Sequence, residues 1–259
     1  MRVIVRLGDK LMRQVLESAS FTRFCLEMLA LLLERRGYQP IVLENLVKQV
    51  YFTAVQPLGV FSLYTAILAL SIVSITVSLA GTYGLEAYRL NLIANLLMAE
   101  VMPLMTALFV ALRSGAAINA EMALMALNRE NEALAAYGVD VRIFEWLPRV
   151  MGGVLAVLLL TLFGNLLVLL AAYLVLYDWR LGHLVSFIGE LAAAFNPLQL
   201  LLVAVKSIAF GLWITLIPIY MGQGAHAQPM VPIVVLKGMM RVFLALLATE
   251  VALLSLTYL

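Results

Sequence analysis

Five long apolar stretches alternate with shorter polar connections along the chain. They cover approximately residues 52–79, 90–112, 150–177, 198–221 and 238–258. A membrane-spanning helix needs about 20 mostly apolar residues, because the hydrocarbon core of a bilayer is about 30 Å thick. The pattern therefore predicts five membrane-spanning helices, which we number from the first to the fifth span.

The region ahead of the first span has a different pattern. Within residues 8–34, the apolar positions Leu11, Val15, Phe21, Phe24 and Leu31 are interleaved with Lys10, Arg13, Glu17, Arg23, Glu27 and Glu34. This spacing predicts an amphipathic helix that lies in the membrane interface, with a small soluble cap as the alternative. After a break at Gly37–Pro40, a second short helix, 41–50, is expected to lead into the first span. The sequence thus divides into an N-terminal region, 1–50, and a transmembrane domain, 51–259.

The basic residues between the spans predict the orientation of the chain. Residues 1–50 contain eight lysines and arginines and the 113–149 connection contains four, whereas the 80–89 and 178–197 loops contain one each. Because cytoplasmic loops carry an excess of basic residues, the N-terminus and the 113–149 connection are predicted to be cytoplasmic and the C-terminus to lie on the far side. The 178–197 connection is predicted to form an external interfacial helix, and 222–236 an irregular cytoplasmic turn.

Composition agrees with a membrane protein and excludes several other classes. The chain is 64% hydrophobic and 12% charged, against roughly 45–50% and about 25% in a soluble domain. Its net charge of +2 excludes a nucleic-acid-binding protein that works through bulk charge. The single Cys25 excludes an internal disulfide and a cysteine-based metal cluster. With only two, widely separated histidines, His183 and His226, no metal site is expected.

Three ionisable residues fall inside the predicted spans: Glu100 in the second, Lys206 in the fourth and Glu250 in the fifth. Such groups are costly at membrane depth and are usually functional. From the helical rise, Glu100 lies ~15 Å, and the other two ~12 Å, from the external ends of their spans. We therefore expect one charge layer in the outer half of the bilayer, in which Lys206 offsets one or both carboxylates. The alternative is that these groups only fix helix packing through polar contacts.

The connection between the second and third spans has the most specific motifs. A helix from about 115 to 136 is predicted there, with Gly138 as its C-cap.

With its flanking spans, this region resembles the MlaE family of ABC-transporter permeases, whose pattern runs E-L-G-P, G-R-x-G-S-A, A-E-x-G-x-M, E-Q-x-x-A-L and G-V-D-P. The corresponding residues are Glu100, Pro103, Arg113, Gly115, Ala116, Ala120, Glu121, Met125, Ala133, Leu134, Gly138, Val139 and Asp140. Pro148–Arg149, Lys206 and Glu250 also fall where the family keeps a P-R pair, a basic and an acidic residue. The chain departs from the pattern at Leu112, Ala123, Arg129–Glu130 and Val141.

The resemblance implies an all-α integral membrane protein of the bacterial inner membrane: an N-terminal interfacial amphipathic helix, five transmembrane helices, and a cytoplasmic coupling helix between the second and third spans. It also implies a homodimer that binds a cytoplasmic ABC ATPase and lies beneath a hexameric ring of periplasmic MCE-domain proteins. Such a complex moves phospholipids or related lipids between the inner membrane and the outer envelope. The chain has no G-x-x-x-x-G-K-[ST] phosphate loop, so it is expected to be a permease subunit and not an enzyme. ATP is expected on the partner ATPase, and no cofactor or metal on this chain.

The resemblance also assigns candidate site residues. The coupling segment, about 114–146, is expected to contact the ATPase through Glu121, Arg129, Glu130, Glu132 and Asp140. For Glu121, an ion pair with Arg113 or Arg149 of the same chain is the alternative. A lipid pocket is expected at the dimer interface between the first, second and fifth spans, close to the charge layer. Its candidate lining residues are Leu70, Val77, Leu97 and Met98.

Two functions of other classes compete with the permease hypothesis. In the first, the chain is a stand-alone secondary transporter that uses Glu100 and Glu250 as proton carriers. Five spans without a visible inverted repeat argue against it. In the second, the chain is a membrane scaffold that holds a periplasmic partner and transports nothing.

Overall fold

Every regular element of the chain is helical in the parts that the computed structural model describes, residues 2–34, 39–177, 181–194, 197–224 and 231–258. The α-helices are α1 (Arg2–Leu33), α2 (Pro40–Val50), α3 (Leu58–Thr82), α4 (Arg89–Leu92), α5 (Met102–Val110), α6 (Ala116–Leu127), α7 (Glu130–Ala136), α8 (Leu147–Tyr177), α9 (Leu184–Ala194), α10 (Pro197–Gly222) and α11 (Val231–Tyr258). Wider π-helical turns occur at Tyr51–Val55, Ile93–Val101, Ala111–Gly115 and Arg142–Trp146, and 3₁₀ turns at Glu86–Tyr88 and Leu181–His183.

Five of the resulting helical stretches are long and apolar enough to cross a membrane. They are Pro40–Thr82, Glu86–Leu127, Arg142–Tyr177, Pro197–Gly222 and Val231–Thr257. This confirms the five predicted spans and the all-α fold. The helices extend beyond the predicted boundaries because hydropathy marks only the apolar part of a helix, whereas backbone hydrogen bonding continues into polar residues at either end.

Two predicted boundaries are wrong. The helix expected over 115–136 is divided into α6 and α7, because Arg129 adopts a left-handed conformation with φ of 55°. The irregular turn expected over 222–236 ends early, since α11 begins at Val231. Proline is favoured in the first turn of a helix, and Pro232 occupies that position. Residues 35–38 of the predicted break and Trp179 of the external loop lie outside the described residues.

The third span forms the centre of the bundle and packs most closely against the fourth. A Cβ atom added to Gly211 of α10 would lie 2.6 Å from the Cα of Val154 in α8, which is closer than real Cβ contacts. One added to Gly153 would lie 2.2 Å from Thr215 Cγ2. Glycine at these positions lets the two backbones approach, as small residues do between membrane helices.

The two ends of the bundle differ in their elements. One, which we call the basic end, carries α2, α6, α7 and the described side chains of α1, with Met28 of α1 buried among residues of α6, α8 and α10. The opposite end carries the turn Tyr83–Tyr88 and α9. The first, third and fifth spans run from the basic end to the opposite end, and the second and fourth run back. The interfacial location of α1 stays a prediction.

Candidate functional site

A buried ion triad joins three spans in the middle of the bundle. Lys206 of α10 donates a hydrogen bond to Glu250 Oε1 of α11 at 3.1 Å and another to the Glu100 carboxylate of the second span. The three side chains are 4%, 9% and 13% exposed, respectively. The structure thus brings together the three ionisable residues that the sequence places at a common depth.

The backbone around Glu100 explains how Lys206 is held. Glu100 lies in the π-helical stretch Ile93–Val101, and π-turns within helices are frequent at functional sites. Pro103 follows and has no N–H to donate to the carbonyl of Ala99, four residues earlier. Lys206 Nζ lies 3.5 Å from that carbonyl oxygen. The proline therefore exposes a backbone acceptor beside the triad.

The triad carries one more negative charge than positive charge when both carboxylates are ionised. Glu250 Oε2 is buried and has no hydrogen-bond donor among the described residues. Breaking such a buried pair by removing one partner is costly, because the remaining charge is left uncompensated in a medium of low dielectric constant. Removing Lys206 alone would therefore leave uncompensated charge buried between the second, fourth and fifth spans.

A narrow crevice leads to the triad between the second, fourth and fifth spans. It has a volume of about 30 Å³ and is bordered by Asn95, Gln199 and Thr257 as well as by Glu100 and Lys206. This space is enough for about one or two water molecules. The polar border connects the buried charges to the part of the bundle nearer the opposite end.

At the basic end, the predicted ATPase contacts lie on a helical hairpin, α6–α7. All five of them, Glu121, Arg129, Glu130, Glu132 and Asp140, are exposed. Helix α7 has no buried residue, whereas α6 buries Met122 and other side chains against α8 and α10. The tip of the predicted segment and one face of α6, which carries Glu121 and Leu124, are therefore accessible to another protein.

Backbone caps fix the shape of this tip. Val139 N–H donates to Leu134 O, and Gly138 N–H to Ala135 O, both at 3.0 Å, which is the Schellman arrangement that ends a helix at a glycine with positive φ. Asp140 Oδ1 accepts a hydrogen bond at 3.0 Å from the N–H of Arg142, where the third span begins. Asp140 is thus a helix cap as well as a candidate ATPase contact.

Glu121 has an ion-pair partner within the chain. Its carboxylate lies 3.3 Å from Arg149, which also pairs with Glu145 at 3.3 Å. Arg149 is 10% exposed and Glu121 is 57% exposed, so the pair is shielded on one side only. Arg113, the other candidate partner, instead donates to Phe52 O at 2.6 Å and to Gln56 Oε1 at 2.9 Å. These contacts tie the second span to the first and third spans at the basic end.

Comparison with known proteins agrees with this architecture. The family model for Permease MlaE matches residues 46–256, which is most of the chain. The chain belongs to the MlaE permease family. Two relatives, from Rickettsia felis and Rickettsia prowazekii, are each named a probable ABC transporter permease protein. Each is 26% identical to this chain over 190 residues, which cover 71% of this chain and 71% of the relative.

Membership of the MlaE family makes the chain a transporter permease and a multi-pass membrane protein. The matched region includes the ion triad and the α6–α7 hairpin. Helix α1 lies ahead of the matched region.

The four predicted lipid-pocket residues of this MlaE permease lie in different environments within the described part of the chain. Leu97 and Met98 are 2% and 5% exposed and face a core shared with the first and third spans. Leu70 is on the surface of the first span, and Val77 is half-buried against the same core. Leu97 and Met98 are therefore core positions of the single chain, and their contact with lipid stays a prediction. Hydropathy could not show this, because core and lipid-facing positions are equally apolar.

A larger apolar groove runs between the second and fifth spans of the permease. It has a volume of about 350 Å³ and is lined almost only by apolar side chains, including Leu112, Met240, Phe243 and Leu244. Sequence reasoning missed these residues, which lie closer to the basic end than the triad does. The signal available was the run of large apolar residues on α11.

Proposed function

We propose that this chain is the permease subunit of an ABC transporter that moves phospholipids or related lipids between the inner membrane and the outer envelope. In this proposal a separate ATPase hydrolyses ATP, and a periplasmic MCE-domain protein receives or delivers the lipid. The observation that carries the proposal is the exposed α6–α7 hairpin, which is continuous with the second span and capped onto the start of the third.

The hairpin suits a coupling role for a mechanical reason. The second span and α6 form one helical stretch, Glu86–Leu127, and Asp140 caps the next stretch, Arg142–Tyr177. A force applied to α7 therefore acts on two spans at once. A cleft of about 710 Å³ beside α7 is lined by residues that include Arg129, Glu132 and Arg142, and it offers both charge signs to a docking ATPase.

The first and fifth spans suit the dimer interface and the lipid path. In each of these two spans, only 22% of the most apolar 18-residue segment is buried inside the protein. In the other three spans, the corresponding share is 44–56%. The first and fifth spans therefore present the largest apolar surface to lipid or to a second copy of the chain. The apolar groove between the second and fifth spans would contact acyl chains, and the ion triad would lie near the lipid path and stabilise one state of the dimer.

The basic end is proposed to face the cytoplasm. The described second half of α1, helix α2 and the hairpin of the 113–149 connection lie at this end. Residues 1–50 and 113–149 together hold twelve of the 17 lysines and arginines of the sequence, so this orientation satisfies the positive-inside rule. The N-terminus is then cytoplasmic and the C-terminus periplasmic. The opposite end, with its exposed Tyr83 and Tyr88, would lie at the outer interface, where aromatic side chains are enriched.

Affinity purification of the tagged chain from its native membranes tests the proposal. Mass spectrometry would identify every protein and lipid that co-purifies in mild detergent. We expect an ATPase and an MCE-domain protein in stoichiometric amounts, together with phospholipid. Repeated recovery of a lone homo-oligomer would contradict the proposal and favour a secondary transporter, in which Glu100 and Glu250 carry protons.

A further inference from the structure

The second half of α1 packs against the body of the protein at the basic end. Met28 is 1% exposed and lies in a cluster with Trp146 of the third span and Leu216 and Ile219 of the fourth. A helix that only rested on the membrane surface would not bury a side chain between two spans. Helix α1 is therefore an integral part of the bundle from about residue 18 onward.

Aromatic contacts connect α1 to both of these spans. The Phe24 ring lies 5.8 Å from Trp146 and 5.5 Å from Tyr220, measured between ring centroids. The Phe21 ring lies 5.2 Å from Tyr220 and 6.4 Å from Trp213. Phe24 thus bridges the start of the third span and the end of the fourth, within the range at which aromatic pairs attract.

An ion pair adds a link to the coupling region. Glu27 Oε2 lies 3.2 Å from Arg142 Nη1, in the π-turn that opens the third span. Arg142 also borders the cleft beside α7, and its N–H is held by Asp140. Because Glu27 and Arg142 are 37% and 53% exposed, their pair contributes little to stability. Its geometric effect is to join α1 to the segment that α7 would move.

The contacts of α1 on the fourth span lead to the ion triad. Lys206, Trp213 and Tyr220 follow one another at intervals of seven residues in the single helix α10. Seven residues make nearly two turns, so the three side chains share one face. Trp213 Nε1 also donates to Thr249 Oγ1 at 2.9 Å, next to Glu250 in α11. Pro218 lies between Tyr220 and Trp213 and removes one backbone hydrogen bond of α10. Trp213 is on the triad side of this proline, so it is the α1 contact from which a shift is passed along the helix toward Lys206.

We propose that α1 is a second transmission element, which carries movement of the Arg142–Trp146 turn across to the fourth span and thereby to the ion triad. The proposal rests on the function proposed above, in which an ATPase docks on the α6–α7 hairpin. Movement of the hairpin is transmitted to the second span through α6 and to the fourth span through α1. Both spans meet at the contact between Glu100 and Lys206.

The test uses the intact complex of permease, ATPase and periplasmic partner in proteoliposomes. Glu27→Arg places three like charges together, because Glu27 pairs with Arg142 and also with Arg23 of the same helix, at 2.9 Å. We expect the bound ATPase and its rate of hydrolysis to stay within about twofold of wild type, because an exposed pair adds little stability. The lipid transported per ATP should fall by about fivefold or more, since the coupling between the sites is lost. Lys48→Glu, which breaks an ion pair within α2 alone, is the matched control and should keep the wild-type ratio.

Glu27→Asp, which keeps a negative charge on this side of Arg142 and leaves the cleft beside α7 unchanged, should keep most of the wild-type transport per ATP. If Glu27→Arg does not assemble, Phe24→Leu tests the same link, because it keeps an apolar side chain but removes the aromatic bridge. An unchanged ratio in the variant that assembles, or an equal loss in Glu27→Asp, would overturn the proposal. Loss of ATPase binding in that variant would also overturn it, by making α1 a docking surface. A wild-type complex that moves no lipid would instead contradict the proposed function.

Discussion

Lys206 Nζ lies 3.1 Å from Glu250 Oε1 and joins the fourth span to the fifth in the interior of the bundle. Glu100 of the second span binds the same ammonium group. Membrane helices gain little from apolar contact alone, because lipid tails are as apolar as leucine. One lysine between two carboxylates is therefore a strong determinant of how these three spans are arranged.

Removing the lysine should lower the stability of the folded protein without preventing its insertion into the membrane. Lys206→Ala leaves two buried carboxylates without a cation, so we expect the free energy of unfolding to fall by about 3–5 kcal/mol. Insertion should persist, since the hydropathy of the fourth span increases. Thermal unfolding in detergent and lipid transport in proteoliposomes check this prediction. Normal transport by the variant would contradict a role of the triad in the transport cycle.

Neutralising the whole triad distinguishes a structural role from a functional one. Lys206→Met combined with Glu100→Met and Glu250→Met removes all three charges while it keeps similar volumes. Replacing buried ion pairs with well-packed apolar residues of similar volume is often close to neutral for stability. We therefore expect near wild-type unfolding but impaired transport. If transport also recovers, the triad only fixes helix packing.

Arg149 should matter more than either of its partners. Its guanidinium is 10% exposed and pairs with both Glu121 and Glu145. Arg149→Met should lower the free energy of unfolding by about 1–3 kcal/mol, as expected when hydrogen bonds to a charged group are lost. Glu121→Gln should cost less than about 1 kcal/mol, because Glu121 is exposed. Chemical denaturation in micelles measures both variants, and equal effects would contradict the assignment of Arg149 as the centre of the contacts.

The hairpin tip contains two residues with left-handed backbone, Arg129 and Gly138, with φ of 55° and 76°. Gly138→Ala should speed hydrogen exchange of the α7 amides by about tenfold, because a Cβ is disfavoured in this conformation by about 1–2 kcal/mol. Arg129→Gly should not speed it, since glycine adopts this conformation readily. Hydrogen–deuterium exchange with mass spectrometry compares the two. Faster exchange in both variants would show that the Arg129 side chain itself stabilises the tip.

The thiol of α1 reports on the packing of that helix. Burial raises the pKa of Cys25 to about 11, because the thiolate is disfavoured away from water. The thiolate is the reactive form, so alkylation at pH 8 should be about 100-fold slower in the folded protein than in the unfolded chain. The rate should keep rising with pH beyond the ordinary pKa of 9.0. A rate that reaches its plateau near that value would show that α1 is undocked.

The number of spans and the depth of the triad could be predicted because both follow from one-dimensional quantities, hydropathy and helical rise. Which face of each span is buried in the core could not be predicted. Helix α3 is apolar on all sides, so its pattern does not distinguish the core position Val73 from the exposed Ile67. The same ambiguity affected Leu97. The packing of Phe24 and Met28 was also hidden, because an amphipathic pattern suits a protein surface and a membrane surface equally.

The break at Arg129 was missed for a local reason. Arginine is a good helix former, and left-handed conformations are rare outside glycine and asparagine. Nothing at this position therefore predicted the end of α6. Gly138, by contrast, was identified as a C-cap because glycine is the usual residue there, and the structure confirms that helix end.

Proteoliposomes that contain the purified complex and a fluorescent phospholipid would show whether this permease moves lipid with energy from a separate ATPase. Transfer of the lipid to an acceptor would be measured with ATP, without ATP, and with ATP plus a protonophore. We expect transfer that requires ATP and is unchanged by the protonophore. Transfer that persists without ATP and stops when the proton gradient is dissipated would contradict this expectation.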